Sequence, residues 1–488
     1  MAFTISSSSP ILLDEQLPGP LYGLPAIDIN LHQLVSAGFQ GGKTDLRAQR
    51  QHFELELLSL RAVWNANLPI HTLPVEVLLD IFKYSLVPWN LLKYTHPTSK
   101  RLWAPLMGVC RHWCALIRND VEFWNTIDIS KSMPWLDVAL HRSRGTPLRV
   151  MLSRSRDVQE AISTLLPHTD RVRHLEMSAP NAGVLKPLFS HALPLLSNLS
   201  ISLDRPAPYG QSSRRGVDLI DRNICPHLET LRLSRYALAW TAPLLANLQF
   251  LSLNDCVLST KPLSLAEFLD VLEHGQELWS LELGSFFFVA LSSQTSVPPG
   301  RLVTLPKLSF LSLHAMPAHI ARLMSHLRTL SGCDYELIGE CSPNDPSTSY
   351  ASFLPQDAAL TYLTSSVTSV FLEVDRETHL ITWDLPLDGS YRLELHRGHA
   401  GWDNTWLERG LRQLPAIFAS GGARLTRLNV AGRLNTVSSA TWDTIFECFP
   451  ALQSLEFEAQ AGSAFPTAIL RSLSISVDRG RARTSDQR

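Results

Sequence analysis

Apolar positions along this chain follow two different periods. Between Leu73 and Trp124 they recur at helical spacing: Val77, Leu78, Ile81 and Phe82 within LPVEVLLDIF, then Leu106, Val109, Cys110, Trp113 and Ile117 at i, i+3, i+4, i+7 and i+11. Two amphipathic helices are predicted. Pro74 fits the first helical position, where a missing N–H costs nothing, and Glu76 puts negative charge near the helix N-terminus, so the first helix is expected to start at or near Leu73. Upstream, Leu46, Phe53, Leu57, Leu60 and Trp64 share one stripe beside Glu54 and Glu56, which predicts a further helix of about 20 residues.

From Val172 onward the pattern is a phrase with an apolar residue, two others, an apolar, one other and an apolar. It occurs as VRHLEM at 172, LSNLSI at 196, LETLRL at 228, LQFLSL at 248, LWSLEL at 278 and LSFLSL at 308. It returns as VTSVFL at 367, LTRLNV at 425, LQSLEF at 452 and LRSLSI at 470. Its middle residues Leu175, Leu199, Leu231, Leu251, Leu281 and Leu311 lie 24, 32, 20, 30 and 30 positions apart, straddling the roughly 20–29 residues of leucine-rich repeats. The copy LQFLSLNDCVL carries the complete LxxLxLxxCxL pattern. Each copy supplies a short strand whose alternate leucines enter a shared core, and segments such as LAEFLDVLEHG at 265 and TWDTIFECF at 441 cover the strands as helices. The expected fold class is α/β, an N-terminal helical module followed by an irregular leucine-rich-repeat-like solenoid. Interruptions at Asp204–Gly216, Ser292–Gly300 and Gly339–Gln356, rich in Pro, Ser or Gly, are expected as surface loops that either bind something or merely tolerate insertion.

Composition changes this picture little. Apolar residues make up 45% and charged ones 18% of the 488 residues, as in a folded protein of more than one domain or of one elongated array. A net charge of −2 gives no field that would dictate a nucleic-acid or membrane partner. Seven cysteines without a CxxC pair point to free thiols in a reducing compartment. The N-terminus has no basic segment before its short apolar run, and no stretch approaches the roughly 18 apolar residues of a membrane span, so a cytoplasmic or nuclear location is expected.

Three places offer candidate chemistry. AGFQGGKT at 37–44 imitates a phosphate-binding loop, but Ala37 stands where glycine is required, Gly38 is one place too close to the lysine, and Asp80 falls in a helix instead of at a strand end. Cys110 and Cys114 are one turn apart with His112 between them; no second ligand pair follows at finger spacing, and a buried helix face explains them. Cys256 occupies the small position of its repeat. The 17 histidines form no HExxH, and no GxSxG is present. No cofactor, no metal and no activity of its own are expected.

The combination LPxEVLxxIF, VCRHW and a following FW resembles the F-box, a helical module that plugs proteins into cullin-type ubiquitin ligases through a Skp-family adaptor. With repeats behind it, the chain is similar to the large F-box families of mushroom-forming fungi. The expected organisation is residues 1–43, rich in Ser, Pro and Gly, without stable structure of their own, a helix at 44–67 and, from the resemblance, an F-box-like domain at 68–130 with an insertion at 83–104 longer than the family's usual connection. A solenoid at 131–478 and a flexible tail at 479–488 complete it. The resemblance also implies a Skp-binding face formed or supported by Leu73, Pro74, Ile81, Phe82, Val109, Cys110, Trp113 and Leu116. For Val109 and Trp113 the alternative is packing inside the module. A target protein is expected on the open strand face, where Arg232, Phe250, Glu282 and Phe310 stand in neighbouring rows; the two phenylalanines are either exposed anchors or covered by the chain's own segments. The function implied is substrate recognition in a Skp–cullin–F-box ubiquitin ligase; the alternative is a non-catalytic repeat scaffold with a degenerate F-box.

Overall fold

A computed structural model describes residues 43–85, 103–129, 133–152, 157–204, 220, 222–258, 264–285, 300–329, 332–340, 349–354, 362–374, 379–385, 389–396, 405–419, 421–459 and 469. The expected unstructured segment up to residue 42, most of the insertion, the stretches 205–216 and 292–299, the final repeat phrase and the tail lie outside those residues. Two compact units divide the chain, Met1–Met151 and Leu152–Arg488.

The first unit begins with helix α1 (Lys43–Ala66), where the sequence stripe predicts it. A 3-10 turn, Pro69–Thr72, leads into α2 (Val75–Ser85). Pro74 lies just outside α2, its carbonyl accepting the first helical bond from the Leu78 N–H at 3.1 Å, so it precedes the first helical position instead of filling it. The second expected helix is broken. A single turn at Ala104–Met107 ends at Gly108, and α3 (Arg111–Asn119) starts afresh with Cys110 as its extended N-cap, φ −158°. Strand β1 (Thr126–Asp128), helix α4 (Pro134–Arg142) and strand β2 (Leu148–Leu152) follow, with β1 and β2 parallel. Phe82 packs on Trp113 with ring centroids 4.5 Å apart, while Trp103, Trp124 and Trp135 meet pairwise at 4.8–5.4 Å. Arg142 lies over the Trp124 ring at 4.7 Å, and the Trp124 indole donates to the Ile117 carbonyl at 2.8 Å. The core of the module therefore runs past residue 130 into α4.

In the second unit the repeat phrase becomes a ladder. After α5 (Val158–Leu165) come β3 (Val172–Ala179), β4 (Asn198–Leu203), β5 (Thr230–Ser234), β6 (Ala237–Leu238), β7 (Phe250–Asn254) and β8 (Val257–Leu258). Helix α6 (Leu265–Leu272) precedes β9 (Ser280–Gly284), β10 (Val303–Leu305), β11 (Phe310–Ala315), α7 (Pro317–Met324), β12 (Leu327–Thr329) and β13 (Asp334–Glu340). The chain continues as β14 (Ser369–Val374), β15 (His379–Asp384), β16 (Ser390–His396), α8 (Trp406–Leu414), β17 (Arg427–Gly432), α9 (Ser439–Cys448) and β18 (Ser454–Ala459). Neighbours in the large sheet run β3-β4-β5-β7-β9-β11-β13-β16-β15-β14-β17-β18, and two small parallel ribbons, β6-β8 and β10-β12, lie apart from it. Leu175, Leu199, Leu231, Leu251, Leu281 and Leu311 pair across consecutive strands, so the copies stack in register. All six are buried. Every phrase from 172 to 452 lies on a strand of this sheet.

Burial alternates along β4, β5, β11, β13, β14 and β16, which packs one face and leaves the other partly open, whereas Phe250 and Ser280 on that second face of β7 and β9 are buried too. The covering segments named from sequence do form helices. α6 opens with a reciprocal cap in which Ser264 Oγ accepts from the Glu267 N–H at 3.2 Å while Glu267 Oε2 accepts from the Ser264 N–H at 2.8 Å, and it buries Leu265, Phe268, Leu269 and Leu272. α9 is capped by Ser438 and buries Trp442 and Ile445.

Two features depart from a simple array. β14, β15 and β16 pair antiparallel and enter the ladder in reverse order, β16 beside β13 and β14 beside β17. The stretch Gly339–Gln356 is also no plain surface loop, since Gly339 and Glu340 end β13 while Tyr350 and Phe353 are fully buried. A Cβ on Gly339 would sit 2.1 Å from Phe353 Cζ, so only glycine admits that ring. The residues just past β5, β7 and β9, namely Arg235, Asp255 and Ser285, all have left-handed φ, at 57°, 51° and 45°. Each donates its N–H forward, to the carbonyls of Asn254, Gly284 and His314 respectively.

Candidate functional site

Helix α2 has two apolar sides because its sequence has two apolar stripes. Leu78 and Phe82 are buried, whereas Val75, Val77 and Ile81 stay 42–44% exposed. Leu73, held extended at φ −68° and ψ 145° after the Pro69–Thr72 turn, is 37% exposed, and Pro74 beside it is exposed too. Val109, on the break between the Ala104–Met107 turn and α3, is 43% exposed. Six apolar side chains of one small module, Leu73, Pro74, Val75, Val77, Ile81 and Val109, thus face water instead of its core.

The remaining predicted adaptor residues divide. Phe82 is core, because it faces Trp113 across the α2–α3 contact. Trp113 is half-buried against it and packs inside the module, whereas Val109 is exposed. Cys110 is not part of a buried helix face: its sulfur caps α3 by accepting from the Trp113 N–H at 3.5 Å and lies 3.7 Å from His71 Nε2. Cys114 and Leu116 are half-buried. Among the described residues no cluster of His, Cys, Asp and Glu has a metal-binding arrangement. Of the phosphate-loop imitation, positions 37–42 lie outside the described residues; Lys43 is the first residue of α1.

A charge cluster fixes the far end of α2. Lys83 Nζ lies 2.6 Å from Glu122 and 3.3 Å from Asp120, which ties α2 to the turn after α3. Burial acts to lower the Lys83 pKa, but the hydrogen bonds and charges of Glu122 and Asp120 together raise it above the ordinary lysine value. Val75 and Val77 were missed as exposed residues by sequence reasoning. Their signal was present: Val77 and Ile81 are four apart and form the stripe opposite Leu78 and Phe82.

The open strand face of the second unit carries the other predicted residues. Thr230, Phe250, Ser280 and Phe310 form one row, and Arg232, Ser252, Glu282 and Ser312 the next. Phe250 is buried, so of its two readings the covered one holds: the Arg232 guanidinium lies over its ring at 4.0 Å and the Trp279 ring approaches to 5.8 Å. Arg232, Glu282 and Phe310 are half-buried. An exposed aromatic here is Trp279, 46% accessible at the entry of β9, at one of the two unspecified positions of the leucine phrase and so unmarked by it. Further along, Arg392 pairs with Glu336 at 3.6 Å and Glu394 at 2.9 Å, and His314 lies 3.4 Å from Glu340. The Cys256 thiol is buried, donates to the Leu233 carbonyl at 3.3 Å and is pushed up to about 11 by burial, as the small position of its repeat leads one to expect.

Residues 70–130 match the F-box-like family. That span contains α2, α3 and the exposed apolar residues around them, and the segment is an F-box-like domain. No curated protein matches the chain. None of the described helices is long and apolar enough to cross a membrane.

Proposed function

We propose that this chain is the substrate-recognition subunit of a Skp–cullin–F-box ubiquitin ligase. The observation that carries the reading is the uncovered apolar surface of Leu73, Val75, Val77, Ile81 and Val109 inside the segment that matches the F-box-like family. F-box domains commonly bind Skp-type adaptors, and an apolar patch on so small a module needs a partner to remove it from water. The adaptor brings the cullin, and ubiquitin transfer is left to the other subunits. The in-register stacking of the leucine phrases supports a leucine-rich-repeat-like solenoid and, with the F-box-like segment, the likeness to the F-box families of mushroom-forming fungi. Its open face, with Trp279, Phe310 and Glu282, is the surface on which we place the target.

The test is calorimetric titration of the full chain with a Skp-family adaptor. Replacing Leu73 and Pro74 together by alanine is expected to weaken binding by about 2–3 kcal/mol, roughly a hundredfold, if both fill a desolvated pocket. Unchanged affinity in the folded double variant, or no affinity in the parent chain, leaves a repeat scaffold with a degenerate F-box.

A further inference from the structure

Charge on the open side of the strands is uneven. On β3, β4, β5 and β7 that side carries short polar residues such as Ser200, Ser202, Ser234 and Ser252, with one carboxylate, Glu176, and one guanidinium, Arg232. From β9 onward it turns acidic, with Glu282 on β9, Glu336 on β13, Glu394 on β16, Asp384 on β15, and Glu456 and Glu458 on β18. The arginines among them are Arg392 and Arg427, and the imidazoles His314 and His396. A chain whose net charge is only −2 thus gathers its carboxylates on one half of one face.

Two contacts within the chain show what this face holds. Arg392 pairs with Glu336 at 3.6 Å and Glu394 at 2.9 Å, and the Arg232 guanidinium lies over the Phe250 ring at 4.0 Å. Both are cation sites already filled from within. Glu282, Asp384, Glu456 and Glu458, by contrast, have no ionic partner among the described residues. Glu282 is half-buried, one row from the half-buried Phe310 on the adjacent strand. Between Phe250 and Phe310 stands Ser280, 1% exposed, whose hydroxyl has no hydrogen-bond partner among the described residues. A hydroxyl withdrawn from water without a partner is costly until a donor reaches it. A ring, an unpaired carboxylate and an orphan acceptor on one side of two neighbouring strands suit an arginine or lysine side chain, which brings both charge and donors. The carboxylates form no metal-binding cluster among the described residues.

We propose that the acidic half of the open face, from β9 to β18, takes an arginine- or lysine-rich segment of the target, with one basic side chain at Glu282, Phe310 and Ser280. The inference rests on the reading of this face as the target surface and adds the chemistry of what binds there. Charge complementarity of this kind sets selectivity and association rate, and it weakens as salt rises.

Fluorescence anisotropy of the full-length chain with a short labelled peptide of alternating arginine and serine tests this, beside the same peptide with glutamate for arginine. The arginine peptide is expected to bind at least tenfold more tightly. Glu282→Lys with Glu456→Lys is expected to remove that preference at an unchanged thermal midpoint. Glu160→Lys with Asp443→Lys, on α5 and α9, makes the same change of charge away from the strands and is expected to keep it. Should the lysine pair lower the midpoint, Glu282→Gln with Glu456→Gln decides, with an expected loss of roughly fivefold. Equal affinity for the two peptides overturns the proposal, and so does an equal loss in the strand and helix variants, or none in the glutamine pair. Adaptor affinity is measured on the same samples. A chain that binds the adaptor without preferring arginine fails this inference alone, whereas one that prefers arginine and binds no adaptor fails only the ubiquitin-ligase reading.

Discussion

Truncating Phe250 to alanine separates a buried aromatic from a recognition anchor. The ring is 6% exposed, so nearly all of the 150–250 Å² that a phenylalanine presents is out of water. At about 25 cal/mol per Å² this corresponds to roughly 4–6 kcal/mol, an upper bound that reaches past the roughly 3–5 kcal/mol of Phe→Ala in cores. The site lies on the open strand face, under the Arg232 guanidinium and beside Trp279, and both side chains can settle into the gap. The expected loss is therefore about 3 kcal/mol, which includes roughly 0.5–1 kcal/mol for the cation–π contact. Phe310, in the same row but half-buried, supplies the control, with an expected loss of about half as much. Urea denaturation of both single variants, followed by intrinsic fluorescence, measures the difference. Equal losses, or a Phe250 variant as stable as the parent, would refute the argument that Arg232 and Trp279 enclose the ring.

Two further outcomes follow from titrating groups. Burial pushes the His379 imidazole down to about 3, so below the ordinary value near 6.5 the unfolded chain takes up a proton that the folded chain refuses. The stabilisation from the neutral imidazole is complete above about pH 6.5 and is lost as pH falls towards 3, at about 1.4 kcal/mol per pH unit; a His379→Gln variant whose stability declines just as steeply over that window would contradict this. Burial raises the Cys256 and Cys333 thiols to about 11 and about 12. Iodoacetamide at pH 8 is expected to label the half-buried Cys110, Cys114 and Cys448 in the folded chain and to spare these two, and mass spectrometry showing Cys256 or Cys333 labelled before unfolding would count against their burial.

Periodicity made the strands legible because each leucine phrase buries one face of one strand, and the in-register pairing of Leu231, Leu251 and Leu281 is the direct result. It said nothing about direction. β15 and β16 carry apolar positions without the preceding apolar residue of the phrase, so the reversed direction of β15 between β16 and β14 was invisible in the sequence. The helical stripe from Leu106 to Ile117 was legible as one apolar side but not as two helices, since the apolar spacing runs unbroken across the break at Gly108–Cys110, where Val109 turns out to water. At the candidate adaptor face the sequence located the segment but mixed its two stripes, placing Phe82 with Ile81 although only Ile81 faces outward. Alternation likewise told which side of β7 Phe250 occupies, but not that a long arginine from the neighbouring strand would lie across it.

The left-handed residues Arg235, Asp255 and Ser285 separate the ladder from whatever follows it. Each is hooked by its N–H to the strand ahead before the chain leaves the sheet. The alignment of the strands is thus settled upstream of the connecting segment, and lengthening that segment touches no ladder bond. For an unconstrained loop, each doubling of length then costs only about 0.6 kcal/mol in closure entropy. Insertion directly after Arg235 or Asp255 would part the β6–β8 ribbon that starts two residues on, so the freedom to diverge or accept a graft begins beyond that ribbon, where the strands of the large sheet keep their order.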